Sequence, residues 1–387
     1  GGLEGAENSL LSGQSDKLFY RRVVDMLTGK APSGASLELT INPKAQQAAD
    51  KALGNQRGAV VALDPSTGAI LAMVSHPQYD PTTLSSHNLD AVAAAWKELI
   101  ADPEKPMVNR AIAGDLYPPG STFKLITAAA ALSSGAFTEE SQIPGPATLD
   151  LPLTTTNLPN DDRRPCGAGN KTTLTHALEI SCNTAFGSLG MTLGADALRE
   201  QAAKFGFGDV QQIPMRVTAS RFPANPDKPQ TAFSAIGQFD VKVTPLQMAM
   251  VSAAIANKGL LMSPYLVKDT RNSDLDIIDP SQPEQLSQAI SPDVAAALTR
   301  MMVTVVKSGT GTAAQIPGVL VAGKTGTAEA GEGKAPHAWF TAFAPADRPT
   351  IAVAVVVEDG GNAGDEAFGG KIAAPIARQV IQAVLNP

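Results

Sequence analysis

Three side chains, Ser121, Lys124 and Lys324, carry the chemistry legible in this sequence. The first two lie in YPPGSTFK, Tyr117 to Lys124, where two prolines and a glycine run directly into the serine. Proline fixes φ and disfavours helix in the residue before it. The continuation STFKLITAAAAL has no breaker and is dense in Ala and Leu, so a helix is expected to begin at or near Ser121. Lys124 then falls one turn later on the same face, with Cβ atoms about 5–6 Å apart. A serine hydroxyl is a poor nucleophile until a base takes its proton, and lysine can be that base only while neutral. Alone the pair is ambiguous, because a capping serine and a solvated lysine give the same spacing.

Two further signatures change the balance. Ser181-Cys182-Asn183 lies within LTHALEISCNTAF, a mostly apolar helical stretch where two polar groups so close together need a reason. Lys324-Thr325-Gly326-Thr327 follows the β-rich VLVAG, and Gly326 would weaken a strand unless another backbone lay close against it. The reference pKa of Lys124, near 10.4, must fall by about three units for it to act as a base near neutrality. A Lys324 ammonium at roughly 6 Å, with an effective dielectric of about 20, would contribute some 2–3 kcal/mol, around two units. Burial would supply the remainder. Proton transfer straight to Lys124 and relay through Ser181 both fit these residues.

The elements that must bring these groups together can be read along the chain. GAVVALDPSTGAILAMVS reads as a hairpin around Asp64–Gly68. Before it, LELTINPKAQQAADKAL suggests a short strand and a helix. From Ser121 to about Phe207 the chain is mainly helical, interrupted by a Pro-, Thr- and Asn-rich interval at about 144–171, and a further helix is expected over Pro245 to Asn257. The last third returns to strands in GVLVAGKTGTAEA, HAWFTAFAP and TIAVAVVVEDG, and KIAAPIARQVIQAVL closes the chain as an amphipathic helix. Strands early and late with helices between predict an α/β (α+β) fold, one sheet assembled from distant segments with a helical subdomain beside it. Residues 58–387 are assigned to the catalytic domain and 1–57 to the remnant of an upstream non-catalytic module or linker.

Composition narrows the function classes. The chain has 387 residues, 43% of them hydrophobic, enough for one large core. A net charge of −7 argues against nucleic acid or an anionic membrane as the main partner. Two cysteines exclude a four-thiolate metal site, and four histidines without paired spacing make a zinc enzyme unexpected. A Ser-His-Asp hydrolase would need G-x-S-x-G, which is missing. No apolar run is long enough to span a bilayer. The chain begins with Gly1-Gly2, so its natural N-terminus is expected to lie upstream.

SxxK, SxN and KTG in this order resemble the penicillin-recognising serine acyltransferases. The likeness extends to NRAIAGDLYPPGSTFK, SAIGQFDVKVTPLQMA and HAWFTAFAPAD, and covers roughly residues 36–387. It is similar throughout to the class B penicillin-binding proteins, monofunctional D,D-transpeptidases of peptidoglycan synthesis, and most of all to their actinobacterial members. Cys182 departs from many relatives, which carry another residue in the middle of SxN.

The resemblance implies a mainly antiparallel transpeptidase fold shared with serine β-lactamases, and a reaction without metal or cofactor. Ser121 would be the nucleophile, Lys124 the general base and Ser181 the proton relay to the leaving amine. Asn183 would bond a substrate amide and hold Lys124, and the N–H groups of Ser121 and Thr327 would hold the oxyanion. Lys324, Thr325 and Thr327 would suit a terminal carboxylate, while Gly326 would let an extended peptide lie along the strand. The implied partners are stem peptides ending in D-Ala-D-Ala, β-lactam antibiotics, the membrane through a removed N-terminal anchor, and a glycan-polymerising protein. The implied place is the extracytoplasmic face of the cell membrane, in division or elongation.

Rival readings share the three signatures. A D,D-carboxypeptidase would use water as acceptor. A serine β-lactamase needs a water-activating group, and the Glu-x-x-Leu-Asn pattern is absent between Asn183 and Lys324. A β-lactam-sensing receptor domain would be acylated without turnover. Cys166 and Cys182 could form a disulfide, contributing about 3 kcal/mol by the loop-entropy argument and implying an oxidising setting, or could be buried thiols. The Asp161–Arg164 run reads as a solvated loop that could instead meet the acceptor stem. His337 reads as a hydrogen-bonded strand residue, His176 as a helix-face residue, and Ile236–Gln238 as structural or as a support standing behind the site.

Overall fold

A computed structural model describes residues 2–386, except 19–22, 24–25, 28, 30–32, 115, 332 and 367; for 17, 365 and 366 it describes the backbone only. Its centre is a five-stranded antiparallel sheet of β1 (Gly58–Leu63), β2 (Ile70–His76), β3 (Ala322–Ala328), β4 (His337–Ala344) and β5 (Ile351–Val357). The spatial order is β3-β4-β5-β1-β2. Segments more than two hundred residues apart thus meet, Val356 pairing with Ala59 and Val353 with Ala62. The hairpin predicted around Asp64–Gly68 is β1–β2.

Antiparallel strands usually alternate apolar and polar residues because one face meets water. GAVVAL and IAVAVVV do not alternate, and both strands are buried throughout. The cause is cover on both faces. Val60, Ala62, Val353 and Val355 face one core, shared with α1 (Pro43–Leu53) and α7 (Ala373–Leu385). Ala59, Val61, Ala354 and Val356 face a second, shared with α5 (Pro245–Ala256) and α6 (Pro292–Lys307). The α5 sequence PLQMAMVSAAIA is apolar on every side and buried to match, which marks a helix running through a core. Its start is set by Pro245 in the first turn and the Thr244 hydroxyl, which accepts from Gln247 N–H.

Beside the sheet stand α2 (Lys124–Ser133), α3 (Leu174–Glu179) and α4 (Asn183–Leu193), with short strand pairs among them. The Pro- and Thr-rich interval is therefore not plain loop, since Gln142–Pro144 pairs with Lys171–Thr173 and Thr148–Asp150 with Asn157–Pro159. Cys166 and Cys182 are joined as a disulfide that ties this interval to the start of α4. The strand Ser36–Leu39 pairs with Val267–Arg271, and α1 packs against α7. Among the described residues, no helix is long and apolar enough to cross a membrane.

Candidate active site

Ser121 lies in a 3-10 turn, Gly120–Phe123, that leads directly into α2 at Lys124. The turn is held from two sides by close backbone contact. Gly120 N–H donates to Gly237 O at 3.0 Å, and a Cβ on Gly237 would come within 2.1 Å of Gly120 O. On the other side, a Cβ on Gly120 would meet Thr327 O at 2.5 Å. The Ile236–Gln238 segment therefore positions the serine turn, and β3 backs it. Gly326 has the same explanation, with a twist. The backbone lying against it is the chain's own, Pro119 O standing 3.0 Å and Thr122 Cγ2 3.0 Å from where its Cβ would be.

Lys124 and Lys324, from α2 and β3, are both fully buried. They meet at Ser181. Lys124 Nζ donates to Ser181 O at 2.7 Å, to Asn183 Oδ1 at 2.7 Å and to Ser181 Oγ at 3.2 Å. Lys324 Nζ donates to the same Oγ at 2.9 Å and to Thr325 O at 2.9 Å. Ser181 holds a left-handed φ of 61°, a conformation that costs a residue with a Cβ about 1–2 kcal/mol. That backbone lets one residue offer its carbonyl and its hydroxyl to the same cluster. Cys182 then caps α4, its Sγ accepting from Ala185 N–H.

Burial, the largest cause, pushes Lys124 down to about 7, against the opposing charge of Asp161. Lys324 is also held well below the usual range, first by burial and then by the Lys124 charge. Desolvation, and not the Lys324 charge that the sequence makes the larger share, comes first in the Lys124 depression, because neither ammonium reaches water.

Ser121, Asn183 and Thr327 line one cleft of about 1900 Å³ with Asp161, while both lysines lie buried beside it. Thr325 stands apart from Thr327: it is buried, and its hydroxyl is 2.6 Å from Thr310 Oγ1. His337, at the start of β4, accepts from Asp359 N–H through Nδ1, and His176 contacts Glu179 on the face of α3.

Two features escaped the sequence reading. Asp161 is exposed, as a solvated loop implies, but it also accepts from Asn183 Nδ2 at 2.8 Å. Its only signal was a place in the polar interval closed by Cys166. Glu358, just past the end of β5, joins Arg57, Arg110 and Tyr117 along the cleft wall, from three separate stretches of chain.

Comparison with known proteins agrees with this geometry. The family model described as penicillin binding protein transpeptidase domain matches residues 58–382, and the penicillin binding protein A dimerisation domain matches residues 1–37. The peptidoglycan D,D-transpeptidase PbpA of Mycolicibacterium smegmatis is 48% identical, over 100% of this chain and 79% of its own. The solved ceftriaxone acyl-enzyme complex of penicillin-binding protein A from M. tuberculosis is 47% identical, with a TM-score of 0.94 over 99% of this chain and 87% of that one. The D,D-transpeptidase domain of a peptidoglycan glycosyltransferase from Eggerthella lenta is 35% identical, with a TM-score of 0.83 over 99% and 86%. The two-sided sheet, the paired lysines and these matches agree, and the chain belongs to the penicillin-binding protein transpeptidase family.

Proposed function

We propose that this protein is a peptidoglycan D,D-transpeptidase that cross-links stem peptides through a serine acyl-enzyme and is blocked covalently by β-lactams. The observation that carries the reading is the meeting of Lys124 and Lys324 at the Ser181 hydroxyl, beside a cleft lined by Ser121, Asn183 and Thr327.

In this reading Ser121 Oγ attacks the carbonyl carbon of the terminal D-Ala-D-Ala bond while its proton passes to neutral Lys124, directly or through Ser181. The oxyanion that forms is held by the N–H groups of Ser121 and Thr327. The C–N bond then breaks, the departing D-alanine nitrogen taking its proton through Ser181. An amine of a second stem attacks the acyl-serine, restoring the hydroxyl and forming the cross-link. Lys324 offers charge to the substrate carboxylate, and the unpaired outer edge of β3 offers backbone to the donor peptide. A β-lactam opens by the same step, but its leaving nitrogen stays tethered.

We assign residues 58–387 to the transpeptidase unit and 1–57 to the remnant of an upstream module; the two matched spans support this division. The Cys166–Cys182 disulfide supports an oxidising, extracytoplasmic setting. An upstream membrane anchor, a glycan-polymerising partner and a role in division or elongation complete the reading, on family likeness.

The test is direct. Labelled penicillin should add one adduct, mapped by mass spectrometry to Ser121 and lost in Ser121→Ala. A D-Ala-D-Ala peptide or thioester should then release D-alanine and, with an amine acceptor, give the aminolysed product. Hydrolysis alone would make the protein a carboxypeptidase, rapid penicillin turnover a β-lactamase, and acylation with no turnover of any donor a receptor.

A further inference from the structure

The amide of Asn183 has two ends, and only one orientation serves the lysine cluster. Its Oδ1 accepts from Lys124 Nζ at 2.7 Å while its Nδ2 faces Asp161 Oδ1 at 2.8 Å and Pro159 O at 3.4 Å. An ionised carboxylate can only accept, so Asp161 selects the –NH₂ end and sends the carbonyl end to the lysine. Asp161 itself is fixed by its neighbour. Asn160 is buried, its Nδ2 donating to Pro146 O and Arg164 O and its Oδ1 accepting an N–H of the first turn of α4, from Thr184. The disulfide closes the same loop onto Cys182, adjacent to Asn183.

Charge adds a second effect. Lys124 and Lys324 share a site whose hydrogen-bond partners are all neutral. Lys124 is faced by Lys324 across Ser181 and by Asp161 across Asn183. Asp162, Arg163 and Arg164 share the Asp161 loop, and Glu329 and Lys334 line the same cleft. Among these, Asp161 is the anion that favours the charged form of both lysines.

We propose that Asp161 is a positioning residue of the acylation step, setting the orientation of the Asn183 amide and the charge balance of the Lys124–Lys324 pair. This rests on the acyl-serine reading above.

The experiment measures the second-order rate of labelled-penicillin acylation against pH for the wild type, Asp161→Asn, Asp161→Ala and Asp161→Glu. Loss of the carboxylate should lower the plateau roughly tenfold, the value of one charge-assisted hydrogen bond. It should also move the acidic limb to lower pH, because Lys124 then sheds its proton more easily. Asp161→Glu, keeping the charge, should return the limb toward the wild-type position. Dividing each rate by the folded fraction measured at the same pH keeps partial unfolding out of the midpoint. Wild-type plateau and limb in both Asn and Ala variants would overturn the proposal, as would a lowered plateau with an unmoved limb, which is a structural role only. A wild-type protein that takes no label at Ser121 fails the acyl-serine reading first, and the proposal with it.

Discussion

Lys324 Nζ lies 2.9 Å from Ser181 Oγ, the hydroxyl that Lys124 Nζ also reaches, at 3.2 Å. A hydroxyl has two lone pairs and one proton, so with both lysines donating, its proton is free to point elsewhere. Two ammonium groups this close, both shut away from water, oppose each other's charge. The pair thereby favours a state in which only one of the two amines is charged.

The pH dependence follows. Lys124 is depressed from 10.5 to about 7, mainly by burial, so the acylation rate should rise as pH climbs through about 7. Stability should move the same way. From the folded value of about 7 up to the unfolded value of 10.5, the unfolded chain binds the extra proton, so stability increases with pH across that window and is flat, as far as Lys124 is concerned, below it. Lys124→Met should flatten this part of the stability curve while abolishing acylation. Denaturant melts at a series of pH values check the first, and penicillin labelling the second; a curve as steep in Lys124→Met as in the wild type would refute the assignment.

Ser181 should separate strain from chemistry. Both Ser181→Ala and Ser181→Gly remove the shared hydroxyl, and both should lose acylation by about 10²-fold or more. They differ in backbone cost, because glycine adopts the left-handed φ of 61° freely. Ser181→Gly should therefore be more stable than Ser181→Ala by about 1 kcal/mol. Equal melting midpoints would show that the left-handed conformation is not costly here.

How far these features could be read in the sequence depends on their range. The helix after YPPG, the β1–β2 hairpin and α7 were legible because breakers and periodicity are local. So was the covering of the sheet on both faces, in hindsight, from the unbroken apolar runs of β1 and β5. The gathering of Ser121, Lys124, Ser181, Asn183 and Lys324 came from motif order and family likeness, since no local pattern places β3 beside α2. Asp161 and Glu358 were illegible. Each looks like an ordinary surface acid until tertiary contacts set it against Asn183 or Arg110.

Two glycines should fail for different reasons. Gly326 has an ordinary φ, so Gly326→Ala meets crowding alone, its Cβ 2.9 Å from Trp339 Cβ and 3.0 Å from Pro119 O. Overpacking of this kind costs roughly 1–3 kcal/mol. Gly237→Ala adds a φ of +76° and a Cβ 2.1 Å from Gly120 O, and should cost more. Both push on the turn that carries Ser121, so penicillin acylation should slow in each beyond what the folded fraction explains. Thermal melts with active-site titration separate the two effects.

Removal of the disulfide should act through the unfolded chain. Cys166 and Cys182 close a loop with a sequence separation of 16, worth about 3 kcal/mol in loop entropy. The double variant Cys166→Ser, Cys182→Ser should melt lower by an amount of that order. An unchanged midpoint would mean that the polar interval is already ordered in the unfolded ensemble.

Glu358 gives the last and sharpest stability prediction. Its Oε1 takes Arg110 Nε at 2.8 Å and Tyr117 OH at 2.5 Å, and its Oε2 takes Arg57 at 2.7 Å. Burial pushes this carboxyl up, but the Tyr117 hydrogen bond and the charges of Arg110 and Arg57 outweigh it and hold it below its usual value. The network joins β5 to the residue four positions before Ser121. Glu358→Gln keeps the shape and removes the charge, leaving the buried Arg110 guanidinium without its counter-ion, a change that costs roughly 3–5 kcal/mol. Because the folded value is depressed, the wild-type contribution is complete above the ordinary glutamate value and is lost as pH falls from there through the lower folded value. The gap between wild type and Glu358→Gln should therefore be widest near neutrality and close in acid. Melting curves of both proteins over that range decide it, and a gap that stayed constant with pH would assign the cost to packing instead of charge.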